Sequence, residues 1–189
     1  MRQTFEFLKA AIRSPMEVST VFPTSKFLAN RLLDHANLGT AKSVVELGCG
    51  TGAITRHLQP RLTRQDSYLG IEISSRMVSF LNNEFPTLKF AEGRAEDLAT
   101  FVKPGSVDAV VSSLPWTIFS KELQANTLDG IHQALRPGGI FVTYVCVNAL
   151  VYPNAQAFFS AMASKFEKIE RSPIELLNGP PAYVYQVTK

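Results

Sequence analysis

The stretch VVELGCGTGAITRHL, Val44 to Leu58, constrains the fold more than any other part of the chain. Glycines at 48, 50 and 52 directly follow an apolar run and lead into helix-forming residues. A strand that turns through glycines into a helix brings backbone amides up to a ligand at the helix N-terminus. The same alternation continues along the chain. SVVEL (43–47), YLGIEI (68–73), LKFAE (88–92), VDAVVSSL (107–114) and GIFVTYVCV (139–147) are apolar and rich in β-formers, as interior parallel strands are. Helical segments fall between them, near 52–60, 74–85, 95–102 and 119–136, with a further one near 154–165. Strands alternating with helices predict an α/β fold built on a doubly wound, mostly parallel sheet. KFEKIERSPIELL and AYVYQVTK flank the turn cluster NGPP and predict an antiparallel hairpin at the sheet edge.

At 189 residues the chain reads as one domain, with residues 1–38 a helical cap and 39–189 the core. A net charge of +3 permits an anionic partner without requiring one. Two cysteines, Cys49 and Cys146, fall in a loop and a buried strand, not in a disulfide framework. With no secretory pattern, they point to a reducing cytoplasm. The longest nearly apolar run, Ile140 to Tyr152, is too short to span a bilayer as a helix, so the chain reads as soluble or peripheral. Ahead of the sheet, TFEFLKAAIR (4–13) sets Phe5, Leu8 and Ile12 at helical spacing beside Lys9 and Arg13. SKFLANRLLDHANL predicts a second helix opened by Thr24 or Ser25 as N-cap.

The glycines alone leave several ligands open. A P-loop is excluded, because no G-K-S/T follows them. Gly48, Gly50 and Ala53 also fit G-x-G-x-x-A, the dinucleotide fingerprint. Glu72, at the end of the second strand, can accept hydrogen bonds from both hydroxyls of a ribose, in NAD or in S-adenosylmethionine alike. Three further features separate the two. Glu46 precedes the glycines to give E-L-G-C-G-T-G, which resembles the first motif of class I methyltransferases. An acid there suits the cationic amino-acid end of S-adenosylmethionine and would repel a pyrophosphate. LRPGGIFV (135–142) resembles the turn before the fifth strand of these enzymes, and the closing hairpin resembles their reversed last strand.

The resemblance implies a Rossmann-like class I sheet with helices on both faces. It implies S-adenosyl-L-methionine as cofactor, with S-adenosyl-L-homocysteine as product. The implied cofactor residues are Glu46, Gly48, Cys49, Gly50, Thr51, Gly52, Glu72 and Ile73, then Arg94, Ala95 and Glu96 after the third strand, and Ser112. Arg94 departs from the family, whose usual aspartate meets the adenine amino group. Glu96, Asp97 or local backbone amides would take that role, and acids opening a helix are the bland alternative.

SSLPWTIF (112–119) resembles the N/D-P-P-Y or N-L-P-Y loop of amine methyltransferases, with Ser113 replacing the amide and Trp116 replacing the tyrosine. An aromatic face suits a methylated ammonium through cation–π attraction; the alternative is that Trp116 plugs the core. The missing amide weakens an adenine-N6 assignment, which relies on strong bonding to a flipped base. Across nearly the whole chain the pattern is similar to bacterial phospholipid N-methyltransferases, which act on phosphatidylethanolamine. The carriers are FLKAAIRSPMEVSTVFPTSKFLA, VVELGCGTG, SSLPW, LRPGGIFV and NGPPAYVY. That resemblance implies Ser113 and Trp116 as catalytic residues, and Phe22, Thr24, Ser25, Leu114, Pro115 and Trp116 around the substrate; Tyr144, in the fifth strand, is the catalytic candidate to orient the amine or relay its proton. Independently, the amphipathic pattern of the first helix predicts contact of Phe5, Leu8, Lys9, Ile12 and Arg13 with an anionic phospholipid surface on the inner face of the membrane; the alternative is that this helix packs on its own domain, and Glu6 weakens its basic face. The alternatives are an rRNA adenine-N6 or a small-molecule methyltransferase. Nucleic acid is disfavoured as a partner and no obligate protein partner is evident. No His/Cys/carboxylate cluster has metal-ligand spacing, so no metal is expected.

Overall fold

A computed structural model of the protein describes residues 24–189. The expected alternation is present. Helix α1 (Lys26–Asp34) precedes β1 (Val44–Leu47), α2 (Thr55–Leu58), β2 (Tyr68–Glu72), α3 (Ser75–Glu84) and β3 (Lys89–Glu92). After these come α4 (Leu98–Phe101), β4 (Val107–Ser112), α5 (Lys121–Ala134), β5 (Leu135–Cys146), α6 (Pro153–Lys165), β6 (Lys168–Arg171) and β7 (Ala182–Thr188). The seven-stranded sheet has the order β3-β2-β1-β4-β5-β7-β6. Its first five strands are parallel, while β7 runs antiparallel to both β5 and β6. The central strands are buried on both faces, which is why they read as continuous apolar runs.

Each face of the sheet carries its own core. Leu28 and Leu32 of α1, Ile54, Leu58 and Leu81 pack on one face against Val44, Val111 and Val142. Leu98, Leu128, Ile131, Phe158 and Met162 pack on the other against Val45, Val110 and Phe141. Helices α1, α3 and α5 open at serine N-caps, where Ser25, Ser74 and Ser120 accept from Leu28, Met77 and Leu123 backbone N–H groups.

Three local readings shift. The helix expected over 52–60 is α-helical only at Thr55–Leu58, continued by a 3-10 turn at Gln59–Arg61. Strand β5 begins at Leu135, ahead of the Pro137–Gly138 turn, because Leu135 pairs with Val107 before a register shift. The hairpin's first arm is only Lys168–Arg171: Pro173 lacks an N–H, and beyond it one bridge, Glu175 to Ala182, continues the pairing. NGPP therefore lies within a long loop and is not a tight hairpin tip.

The core on the α5/α6 face centres on Phe158, which is fully buried and stacked on Trp116 with ring centroids 4.6 Å apart. Phe158→Ala is expected to cost about 3–5 kcal/mol. A thermal melt followed by circular dichroism should show the midpoint falling by roughly 10 °C for a chain of this size.

Candidate active site

The sheet order reverses direction at β1, between β2 and β4, so the loops leaving the carboxyl ends of these strands open a crevice. The glycine loop occupies it. Gly48, Gly50 and Gly52 have φ of 77°, 53° and 76°, a backbone region that side chains disfavour. Gly48 N–H donates to the Ile71 carbonyl at 2.9 Å, and Gly52 N–H to Cys49 at 2.8 Å. A Cβ at Gly52 would sit 2.5 Å from the Phe85 ring, and one at Gly48 would sit 2.8 Å from Leu114. At Gly50 a Cβ would meet nothing within 4 Å, so this turn faces open space.

Glu72 fixes the open turn. Its Oε2 accepts from Gly50 N–H at 2.9 Å and its Oε1 from Ser74 N–H at 3.0 Å. A carboxylate offers about four acceptor sites, so each oxygen retains capacity for a ribose hydroxyl. With the open space over Gly50, the residues present fit an adenosyl ligand seated across β1 and β2. Ile73 is half-buried beside Glu72, and Thr51 is exposed on the loop.

Glu46 lies beneath the loop with 0% exposure. Thr55 donates its hydroxyl to both carboxylate oxygens, at 3.0 and 2.9 Å, and Tyr68 donates to Oε2 at 2.7 Å. Burial drives the Glu46 pKa up to about 7, against the pull of the two hydroxyls. The same burial, with Glu46 beside it, holds the Cys49 thiol well above its ordinary value, so it remains protonated. Opposite Glu46 in the parallel register stands Gly70. A Cβ there would meet Phe90 at 2.5 Å, and Cys49 Sγ and the Tyr68 hydroxyl at 2.8 Å each. Tyr68, Thr55 and Gly70 thus form the support under the loop. The sequence reading missed them, although the period of two along β2 aligns Tyr68, Gly70 and Glu72 on one face.

On the acceptor side the predicted residues divide. Thr24 and Tyr144 come together, with Thr24 Oγ1 3.0 Å from the Tyr144 hydroxyl. Burial raises the Tyr144 pKa, although the Thr24 hydrogen bond lowers it. Ser25 N–H donates to Asn178 Oδ1 at 2.9 Å, tying the start of α1 to the NGPP loop. Ser113 donates its hydroxyl to the Gly48 carbonyl at 2.6 Å, and half-buried Leu114 packs against that glycine. Ser112 is buried, and its hydroxyl accepts from Leu114 N–H at 3.2 Å. Pro115 is half-buried at the N-terminal side of the 3-10 turn Trp116–Ile118.

Trp116 lies elsewhere. It is 1% exposed, stacked on Phe158 and edge-on to Phe119 and Phe141, and its indole N–H donates to Thr143 Oγ1 at 2.9 Å. It belongs to the core on the α5/α6 face, whereas Tyr144 packs on the opposite face. The reading of Trp116 as a cation-binding wall is corrected: it plugs the core beneath the β4 loop and has no free face. After β3, Arg94 Nε donates to Glu96 Oε1 at 2.6 Å, so these two charges answer each other, and Ala95 packs on the core. Phe22, and Phe5, Leu8, Lys9, Ile12 and Arg13, lie outside the described residues.

Comparison with known proteins places this geometry in context. Residues 44–139 match the methyltransferase domain family. Across 98% of the chain and 95% of the relative, the sequence is 29% identical to an ornithine lipid N-methyltransferase from Singulisphaera acidiphila. An N-methyltransferase from Bradyrhizobium japonicum shares the fold, with TM-score 0.67 and 14% identity over 85% of this chain and 93% of that one. So does a geranyl diphosphate C-methyltransferase from Streptomyces coelicolor, solved with S-adenosyl-L-homocysteine. There the TM-score is 0.61, at 16% identity over 85% of this chain and 77% of that one.

Glu46 stays neutral in the fold up to about pH 7, whereas an unfolded glutamate ionises near pH ~4.3. Between those values the folded state holds more protons, so stability due to neutral Glu46 is full below the window and is lost as pH rises through it. In urea denaturation from about pH 5 to 8, wild type should lose stability with a slope that Glu46→Gln flattens. Parallel curves would contradict the assignment.

Proposed function

The chain belongs to the methyltransferase domain family and uses S-adenosylmethionine; on that premise we propose that its acceptor is the primary amine of a membrane-lipid head group, as in phosphatidylethanolamine. The observation that carries this reading is the end-to-end match to a relative named for N-methylation of an amine-bearing lipid.

Bound in the crevice, S-adenosylmethionine supplies a methyl group made electrophilic by its sulfonium sulfur. In this reading the chain supplies position and a dry site. Glu72 takes the ribose hydroxyls while it holds the Gly50 turn in place. Glu46, beneath the loop, braces it through Thr55 and Tyr68 and, on ionising, would add a negative charge that favours a cationic ligand. On the acceptor side, Tyr144 with Thr24 receives the head-group amine. Its raised pKa keeps the phenol neutral near pH 7, so it orients the amine as a hydrogen-bond partner and does not serve as the resting base. The head-group ammonium gives its proton to bulk water before the neutral amine enters the site. Ser113, whose hydroxyl is taken by the Gly48 carbonyl, couples the acceptor loop to the cofactor loop.

Label from methyl-labelled S-adenosylmethionine, offered with phosphatidylethanolamine vesicles, ornithine-lipid vesicles or stripped ribosomal RNA, should appear in lipid. Label in the phosphatidylethanolamine arm supports that head group; label confined to ornithine lipid moves the acceptor to that amine, and label in RNA alone overturns the reading. Tyr144→Phe should lower turnover by about tenfold to a hundredfold with cofactor affinity unchanged.

A further inference from the structure

Two loops leave the same end of the β5/β7 pair, and both carry exposed apolar side chains. Cys146 pairs with Ala182, and Val147 N–H donates to the Pro181 carbonyl at 2.8 Å, so the turn after β5 starts beside the loop before β7. The first loop exposes Val151 (82%) and Tyr152. The second exposes Leu176 (66%) and Leu177 (61%). The start of α1, tied to the second loop by the Ser25 N–H to Asn178 hydrogen bond, carries exposed Phe27, with Lys26 Nζ 5.1 Å from its ring centre.

The leucine pair is held out by anchors on either side. Glu175 is buried, accepts from Arg31 Nε at 2.8 Å and from Leu177 N–H at 3.0 Å, and bridges Ala182. Asn178 accepts from Ser25 N–H and donates to the Pro180 carbonyl at 2.7 Å. Both anchors also grip α1, whose first turn carries the Ser25 next to Thr24 of the acceptor site. Two leucines fixed between buried polar anchors form a presented apolar tip, unlike the scattered apolar residues that surfaces ordinarily carry. The segments VNALVYP (147–153) and LLNGPP (176–181) contain no acidic residue. Lys26, over the Phe27 ring at the start of α1, adds an exposed cation. An apolar tip whose adjoining carboxylate, Glu175, is buried and paired with Arg31, and whose neighbouring helix start carries a cation, suits an interface that is apolar within and anionic at its surface.

We infer that Leu176 and Leu177, with Val151, Tyr152 and Phe27, form a rim that dips into an anionic lipid bilayer and sets the Thr24–Tyr144 acceptor site at head-group depth. This rests on the lipid reading of the acceptor, and it adds a docking surface within the described residues to the N-terminal segment expected from the sequence.

The test uses the full chain with vesicles of phosphatidylglycerol and phosphatidylcholine, followed by sedimentation. Leu176→Ser/Leu177→Ser should weaken vesicle partitioning at least about tenfold, with the thermal midpoint and S-adenosylmethionine affinity unchanged. Lys26→Gln should weaken partitioning less, and mainly at low salt. Wild-type partitioning by the double variant, or no vesicle binding by wild type, overturns the rim. So does self-association of the wild-type chain that the two serines abolish while vesicle binding persists, since the tip would then serve a second copy. The two readings fail separately. Vesicle binding lost in the double variant without lipid methylation by wild type sinks the acceptor assignment; lipid methylation with unaltered binding of the variant sinks the rim alone.

Discussion

The hydrogen bond from Gly50 N–H to the Glu72 carboxylate is the contact on which the site depends. It spans the gap between the loop after β1 and the end of β2, and it aims one turn of left-handed backbone at open space. Everything near it serves that placement. Gly70 lacks the Cβ that would collide with Cys49 and Tyr68, so the two strands bring Glu46 and Tyr68 together directly under the loop, where Thr55 of α2 joins them. A glutamate buried without those donors would strongly disfavour the fold once ionised; with Thr55 and Tyr68 it titrates near neutrality.

The acceptor side is built by a different device. No single strand supplies it: Thr24 comes from ahead of α1, Tyr144 from β5 and Asn178 from the loop before β7. The reversed strand β7 makes this meeting possible, because its antiparallel course sets its first residues, and so the loop before it, at the carboxyl end of β5. The apolar rim stands on the same convergence. A crevice set by local glycine geometry, and a proposed acceptor site set by distant segments, would let one fold serve different acceptors.

What the sequence made legible follows the same division. The five parallel strands, the glycine loop and Glu72 were readable because each depends on short-range pattern: apolar runs, left-handed turns and an acid at a strand end. The N-cap of α1 was readable to within one residue, Thr24 or Ser25, for the same reason, and Ser25 takes the role. Tyr68 was not, because its bond to Glu46 depends on strand register. Trp116 was misplaced because SSLPW shows a loop but not the direction of its ring, which Phe158 of α6 and Thr143 of β5 decide. Asn178 looked like a turn residue, and its bond to Ser25 joins positions 153 apart in sequence.

The most direct measurement is a calorimetric titration of S-adenosylmethionine into the wild-type chain and into Glu72→Ala, with thermal unfolding of both followed in parallel. Loss of two hydrogen bonds to a charged acceptor, each worth ~1.5–3 kcal/mol, predicts affinity about a hundredfold weaker or lower. That loss should exceed any change attributable to unfolding at the temperature of the titration. Equal affinity in the two proteins, with both fully folded, would contradict the placement of the cofactor across β1 and β2.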